Sequence, residues 1–363
     1  MPSITNFLNR YLNKEQPKPP PISTGSAAAL LSRSSNRGEV DATYSYAVLR
    51  GDALGDDCRP QTQVIYTLFY VVPFYLSPTT RPSKTLSRDA PSVIRARVAS
   101  VSLTCVVCSI ITLAILTSQG EATHAEALHS MGYWPLGLVE TGKSLLLTAI
   151  LFSGPLYEAL LVDGGWRQCL SLEPVTGLFT DWIRWRNIIA GPFTEEVLFR
   201  SASVPLMLLA RTSVTRTIFL SPVIFGLAHF HHFYEFRVTH PHERVSTALL
   251  RSLFQFTYTS LFGAYATFLF LRTGSLLTIS VVHAFCNIMG LPRLWGRVEP
   301  SSDANDDGGN DDREGGKAGM RSSKASILWS IVYYVLLVGG AVGWWKNLGA
   351  LTVSDNALVA VKI

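Results

Sequence analysis

The chain has 363 residues, of which 48% are hydrophobic and only 16% are charged, and its mean hydropathy is +0.24. A typical soluble domain carries about 25% charged residues, so this composition argues against an ordinary soluble protein. The net charge of +5 is small and scattered, and no dense Lys/Arg patch with interleaved aromatics occurs, which argues against a nucleic-acid partner.

Residues 1–63 are polar and irregular. Met1–Pro21 lacks the continuous apolar stretch of a signal peptide, so we expect insertion to begin at the first true span. A short apolar piece, Ala27–Leu31, is separated from the run Val64–Leu76 by the charged stretch Arg33–Gln63. Without that stretch the two pieces would form one span, and our hypothesis is that it is an insertion or a gene-model error.

Long apolar runs dominate the rest of the chain. They cover Val64–Leu76, Val98–Thr117, Ser144–Val162, Ile188–Ala210, Ile218–Phe233, Ser252–Leu271, Leu276–Leu291 and Ile327–Trp345. A helix needs about 20 apolar residues to cross a bilayer. The pattern therefore predicts an all-α, polytopic integral membrane helical bundle of about seven to eight transmembrane helices over residues 64–347, followed by a C-terminal tail, 348–363.

The stretch 300–324 is acidic, rich in Gly and Asp and almost free of apolar residues, which is typical of a disordered loop. It lacks the ligand spacing of a calcium-binding EF-hand. Basic residues indicate orientation: the loop Ser77–Arg97 contains five, and the loop Ser118–Tyr133 contains none. The positive-inside rule places the first loop in the cytosol, and alternation then places Asp163–Asn187 and Tyr234–Arg251 there.

Charged groups are costly in a bilayer core, so those inside apolar runs suggest function. The first such motif holds Glu195, Glu196 and Arg200. Arg200 follows Glu196 by four residues, the spacing at which helical side chains pair. Glu195 lies about 100° around the helix and is predicted to face a cavity.

The second motif runs from Phe225 to His229 and is followed by His231 and His232. Three histidines within four positions allow a metal site, although the zinc-protease pattern HExxH is absent. We favour His229 as the functional member.

The third motif holds His283 and Asn287, which are four residues apart and share a helix face. Helix–helix hydrogen bonding is the alternative role for this pair. In the predicted topology, Glu195, His229 and His283 lie at a similar depth near the cytosolic side. A carboxylate and an imidazole can together deprotonate water, and two donors can stabilise an oxyanion, so the pattern predicts amide hydrolysis in a shared polar pocket.

The three motifs, Glu-Glu-x-x-x-Arg, Phe-x-x-x-His and His-x-x-x-Asn, occur in that order in the CAAX prenyl proteases of the Ras-converting type, within the CAAX protease and bacteriocin-processing family. The chain resembles this family from about Val64 to Pro292 and in its last span. The resemblance implies an endoplasmic reticulum membrane enzyme, with its site open to the cytosol, that removes the last three residues of prenylated CAAX proteins such as Ras-like GTPases and a fungal mating pheromone precursor.

The resemblance also implies roles for individual residues. Glu195 and His229 would activate water, and His283 and Asn287 would hold the oxyanion. Glu196, Arg200 and Phe225 would support the site, and no metal or cofactor is implied. Two alternatives stay open: a zinc-dependent membrane peptidase using His229, His231 or His232, and a non-enzymatic membrane transporter or scaffold.

Overall fold

A computed structural model describes residues 59–169, 171, 173–299 and 315–361. Over these residues all regular secondary structure is helical, which confirms the predicted all-α class. The helices are α1 (Arg59–Val71), α2 (Pro73–Leu76), α3 (Pro91–Ser118), α4 (His124–Ser130), α5 (Leu138–Leu151), α6 (Ser153–Tyr157), α7 (Trp166–Cys169), α8 (Glu173–Thr180), α9 (Trp182–Trp185), α10 (Gly191–Glu196), α11 (Ser203–Leu209), α12 (Val214–Ala228), α13 (His231–Thr239), α14 (Val245–Thr273), α15 (Leu276–Met289) and α16 (Gly315–Leu351). Three π-helical turns join some of them: π1 (Glu158–Val162), π2 (Arg186–Ala190) and π3 (Val197–Ala202).

Two helices are long and apolar enough to cross a membrane by themselves: α3, and α16 over Ser326–Leu351. A third candidate is the pair formed by α5 and the segment Ser153–Val162, which is bent by 82°. The other predicted apolar runs lie in helices that do not meet the length and apolarity required of a single span. The protein is therefore a multi-pass membrane protein, and the count of seven to eight spans stays a prediction.

The outer faces of the long helices are apolar. On α3 the side chains of Leu103, Val106 and Ile110 are exposed, and on α16 Leu328 and Val335 are exposed. A water-soluble surface rarely carries such continuous apolar patches. These faces are suited to contact with lipid.

The centre of the fold is the segment that runs through π3 and α11. Every residue from Glu196 to Met207 is buried. Thr112 on α3 donates to the backbone carbonyl of Ala202 (3.0 Å) and also bonds the hydroxyl of Tyr66 on α1 (3.0 Å). These bonds satisfy polar groups that would be costly to bury unpaired, and they fix the central segment against α1 and α3.

The predicted domain boundaries stay predictions, and helices of the structure cross two of them. The described part of helix α1 starts at Arg59. Gln63, which the sequence pattern assigns to the polar N-terminal segment, is buried, and its amide donates to the Ser221 backbone carbonyl (3.0 Å) and hydroxyl (2.8 Å). The described part of helix α16 starts at Gly315, within the predicted loop 300–324, although the stretch 315–324 contains three glycines and two serines, which are weak helix formers. The rest of the N-terminal segment, 1–58, and loop residues 300–314 lie outside the described residues.

The C-terminal tail packs onto the end of α14. Arg272 donates to the backbone carbonyls of Val361 (3.0 Å) and Gly349 (3.1 Å). The Leu358 backbone N–H donates to the backbone carbonyl of Leu271 (2.9 Å). Leu358 is buried. The tail thus forms part of the folded helical bundle.

Candidate active site

The paired carboxylates lie on α10, a short helix between two π-helical turns. Pro192 occupies its first turn, where a missing backbone N–H is tolerated. The π-turns on either side widen the helix locally, a feature often found at functional sites. Helix α10 is held in place from α3, where the Cys105 thiol donates to the Thr194 backbone carbonyl (3.3 Å).

Glu196 points into the protein and is fully buried. Its Oε1 accepts from Arg200 Nη1 (3.0 Å) and lies 2.7 Å from His283 Nδ1. A buried charge is tolerated only when it is paired, and Arg200, also fully buried, supplies the opposite charge. Because a carboxylate can only accept, the Nδ1 of His283 carries the proton of this bond.

Arg200 is enclosed by the helices that follow it in the chain. Its Nη2 donates to the backbone carbonyl of Gly263 (3.2 Å), and its guanidinium lies 4.6 Å from the centre of the Phe225 ring. A side chain at Gly263 would place a Cβ 2.9 Å from Nη2 and 2.8 Å from the Cβ of Pro222. Gly263 therefore permits the close approach of α14, a role that the sequence reasoning missed.

Glu195 points the other way, towards a cavity of about 400 Å³. Its side chain is 19% exposed, and its Oε2 lies 3.9 Å from His283 Nε2. The two neighbouring carboxylates are thus divided as the helical spacing predicts: one is neutralised inside the protein, and the other faces the cavity.

His229 and Asn287 line the same cavity as Glu195. His229 follows the last turn of α12, and its Nδ1 lies 2.9 Å from the backbone carbonyl of Phe225. Because a carbonyl can only accept, this bond places the proton on Nδ1 and leaves Nε2 of the neutral ring as an acceptor.

Asn287 is exposed at the end of α15, where its Nδ2 donates to the backbone carbonyl of Asn187 (2.9 Å). One amide hydrogen of Asn287 remains for another acceptor. His283 is 6% exposed and does not line the cavity; it lies behind Glu195 and contacts both carboxylates. The structure thus brings Glu195, His229 and Asn287 together at the cavity and places His283 one layer deeper.

His231 and His232 also line the cavity, but their Nδ1 atoms are occupied. The Nδ1 of His231 lies 2.7 Å from the Ala228 carbonyl, and that of His232 lies 3.0 Å from Glu235 Oε2. Within the described ranges, no group of three or more His, Cys, Asp or Glu side chains is arranged to hold a metal ion.

Comparisons with known proteins agree on one family. The family model described as Type II CAAX prenyl endopeptidase Rce1-like matches residues 145–289, the range that contains all three motifs. The chain is 41% identical over 233 residues to the probable CAAX prenyl protease 2 of Schizosaccharomyces pombe, which covers 64% of this chain and 81% of that protein.

Two further relatives are named CAAX prenyl protease 2. CAAX prenyl protease 2 of Arabidopsis thaliana is 32% identical over 265 residues, covering 68% of this chain and 83% of that protein. CAAX prenyl protease 2 of Homo sapiens is 37% identical over 233 residues, covering 59% and 66%. No solved structure matches the chain. The extent of these similarities shows that the chain belongs to the type II CAAX prenyl endopeptidase family.

Proposed function

We propose that the protein is a membrane endopeptidase that removes the C-terminal tripeptide from prenylated CAAX proteins. Its relatives are named as CAAX prenyl proteases, and the proposal extends that activity to this chain. The observation that carries it is the cavity, in which the carboxylate of Glu195 and the imidazole of His229 come from separate helices and share one space.

In this proposal Glu195 and His229 activate a water molecule. The water oxygen attacks the scissile carbonyl carbon, its proton passes to the Glu195 carboxylate or to Nε2 of His229, and the same proton is later delivered to the leaving amine. The Phe225 carbonyl supports this role because it orients the His229 ring and keeps Nε2 available as a base. The Glu196–Arg200 pair supports it by keeping the second carboxylate out of the cavity.

The negative charge that develops on the substrate oxygen needs hydrogen-bond donors. Asn287 offers its remaining amide hydrogen directly at the cavity. His283 offers Nε2 as a donor only when its ring carries both protons, because Nδ1 already donates to Glu196. We propose that Asn287 is the principal donor and that His283 assists from behind Glu195.

The location and partners are also proposals. The basic loops on one side of the predicted spans favour a site open to the cytosol, and the family resemblance favours the endoplasmic reticulum membrane. Prenylated Ras-like GTPases and a prenylated mating pheromone precursor are the proposed substrates.

The test is cleavage of a farnesylated CAAX peptide by the full-length protein in lipid vesicles. We expect Glu195→Gln and His229→Ala to lower kcat by at least about 100-fold, the usual contribution of a general base. Matched controls are Glu243→Gln and His242→Ala, whose side chains are exposed and do not line the cavity.

Three results would contradict the proposal in different ways. Full activity of either cavity variant would remove that residue from the mechanism. Loss of wild-type activity in a strong chelator would favour the zinc peptidase. Transport that depends on Glu195, without proteolysis by the wild type, would favour the transporter.

A further inference from the structure

Three arginine side chains line the cavity that holds Glu195: Arg88, Arg97 and Arg186. Glu195 is the one acidic side chain among the described residues of the cavity wall. The hydrolytic mechanism gives the arginines no role. Three cationic side chains on the wall of one cavity suggest that the cavity binds an anion.

The acidic side chains that pair with these arginines do not line the cavity. Glu235, on the polar helix α13, accepts a hydrogen bond from Arg88 Nη1 (3.3 Å), forms an ion pair with Arg97 Nη2 (2.9 Å) and is almost completely buried. Burial alone would raise the pKa of Glu235, but the hydrogen bond with His232 and the charges of Arg97 and Arg88 outweigh it and hold that pKa well below its usual range. Glu235 is therefore ionised and fixes the two arginines, and it does not itself line the cavity.

Arg97 is occupied by structural bonds. Besides Glu235, its Nε and Nη2 donate to the backbone carbonyl of Thr80 (2.9 and 2.8 Å), and its guanidinium lies 5.4 Å from the centre of the Phe74 ring. Arg88 is bound less tightly, because it has one hydrogen bond to Glu235 and its side chain is 42% exposed.

Arg186 combines a fixed position with a spare donor. Its Nη1 bonds Asp89 Oδ1 (2.8 Å), its Nε donates to Asn187 Oδ1 (2.9 Å), and its Nη2 has no hydrogen-bond partner among the described residues. The backbone carbonyl of Asn187 accepts from Asn287. The guanidinium of Arg186 is thus linked through one residue to the proposed oxyanion donor.

We propose that Arg186, assisted by Arg88, binds the C-terminal carboxylate of the substrate. This inference rests on the proposed function, which requires cleavage three residues from a free carboxylate. Three extended residues reach at most about 10 Å, so a carboxylate anchored on the wall of this cavity sets the distance to the scissile bond. Arginine is suited to this task because its planar donors match a carboxylate.

The experiment compares two farnesylated CAAX peptides that differ only at the C-terminus, one a free acid and the other an amide. The full-length protein is assayed in vesicles of phosphatidylcholine alone. We expect the wild type to prefer the acid by about 10- to 100-fold in kcat/KM, as for a hydrogen bond between charged groups. Arg186→Gln should lose most of this preference, because its kcat/KM for the free-acid peptide falls. Arg88→Gln should lose part of the preference for the same reason.

The matched control is Arg184→Gln, two residues away on α9, whose side chain is exposed and does not line the cavity; it should keep the wild-type preference. A merely structural role for Arg186 would lower cleavage of both peptides equally and would overturn the inference. Equal cleavage of both peptides by the wild type would also overturn the inference, but the proposed function would still stand. Cleavage of neither peptide would instead contradict the proposed function.

Anionic lipid headgroups carry a negative charge, as the C-terminal carboxylate of the substrate does. A parallel assay in vesicles containing phosphatidylserine distinguishes them from the peptide carboxylate. If the arginine substitutions affect cleavage only in those vesicles, and equally for both peptides, the arginines bind lipid and the inference is wrong.

Discussion

Gly263 offers a sensitive test of the packing that supports the site. Adding one methyl group in Gly263→Ala would place a Cβ 2.8 Å from Pro222 Cβ, 2.9 Å from Arg200 Nη2 and 3.2 Å from Phe225 Cδ1. None of these neighbours can move freely, because Arg200 is bonded to Glu196 and the proline is within a helix. Inserting a methyl group into such a core costs about 1–3 kcal/mol.

Part of that cost is offset, because alanine favours a helix over glycine by about 1 kcal/mol. The net loss is then up to about 2 kcal/mol, which corresponds to a fall in Tm of a few degrees. Activity should fall further than stability suggests. A displaced Arg200 also shifts Glu196 and His283, and a 1 Å misplacement can cost about 100-fold in rate.

The assay measures thermal unfolding in detergent together with peptide cleavage. Gly339→Ala on α16 is the matched control, because a Cβ there meets nothing within 4 Å. It should leave activity unchanged and should not lower Tm, because its only expected effect is the higher helix propensity of alanine relative to glycine. If Gly263→Ala matches this control in both measurements, the close approach of α14 to Arg200 is not what supports the site.

Two further predictions concern buried charges. Arg200→Met should reduce the free energy of unfolding in detergent by about 3–5 kcal/mol, because it leaves the buried charge of Glu196 uncompensated. The double variant Arg200→Met/Glu196→Gln should recover part of that loss. Equal stability of Arg200→Met and the wild type would contradict this prediction. Glu235→Gln should unfold at a lower temperature than the wild type at pH 7. The pKa of Glu235 is depressed in the folded state, so its contribution is present above the unfolded pKa of about 4.3 and is lost as the pH falls towards the folded value. The two Tm values should therefore start to converge below about pH 4, and a constant difference down to pH 3 would contradict the assignment.

Helical spacing and hydropathy were sufficient to predict much of the site. The four-residue step from Glu196 to Arg200 predicts their pairing, and the predicted depth of Glu195 and His229 anticipates their shared cavity. The first inference succeeds because a helix fixes which side chains share a face. The pairing needs no other element, whereas the shared depth also depends on the order and orientation of the predicted spans.

Other features depend on contacts between distant segments. The bond between His283 and Glu196 joins residues 87 positions apart, so spacing alone gave no sign that His283 would lie behind Glu195. Arg88 entered the sequence reasoning only as a loop charge for topology, and Arg186 likewise. The π-turn that follows Glu196 has no simple sequence signature, because it arises from the packing around it.

The Glu196–Arg200 pair also has a consequence for how the polypeptide enters the membrane. Both charges lie one turn apart in the same stretch of chain, so they can neutralise each other as soon as that stretch leaves the ribosome. His283 is synthesised 87 positions after Glu196 and joins the pair later. The costly step of bringing a carboxylate into the bilayer therefore does not wait for the distant histidine.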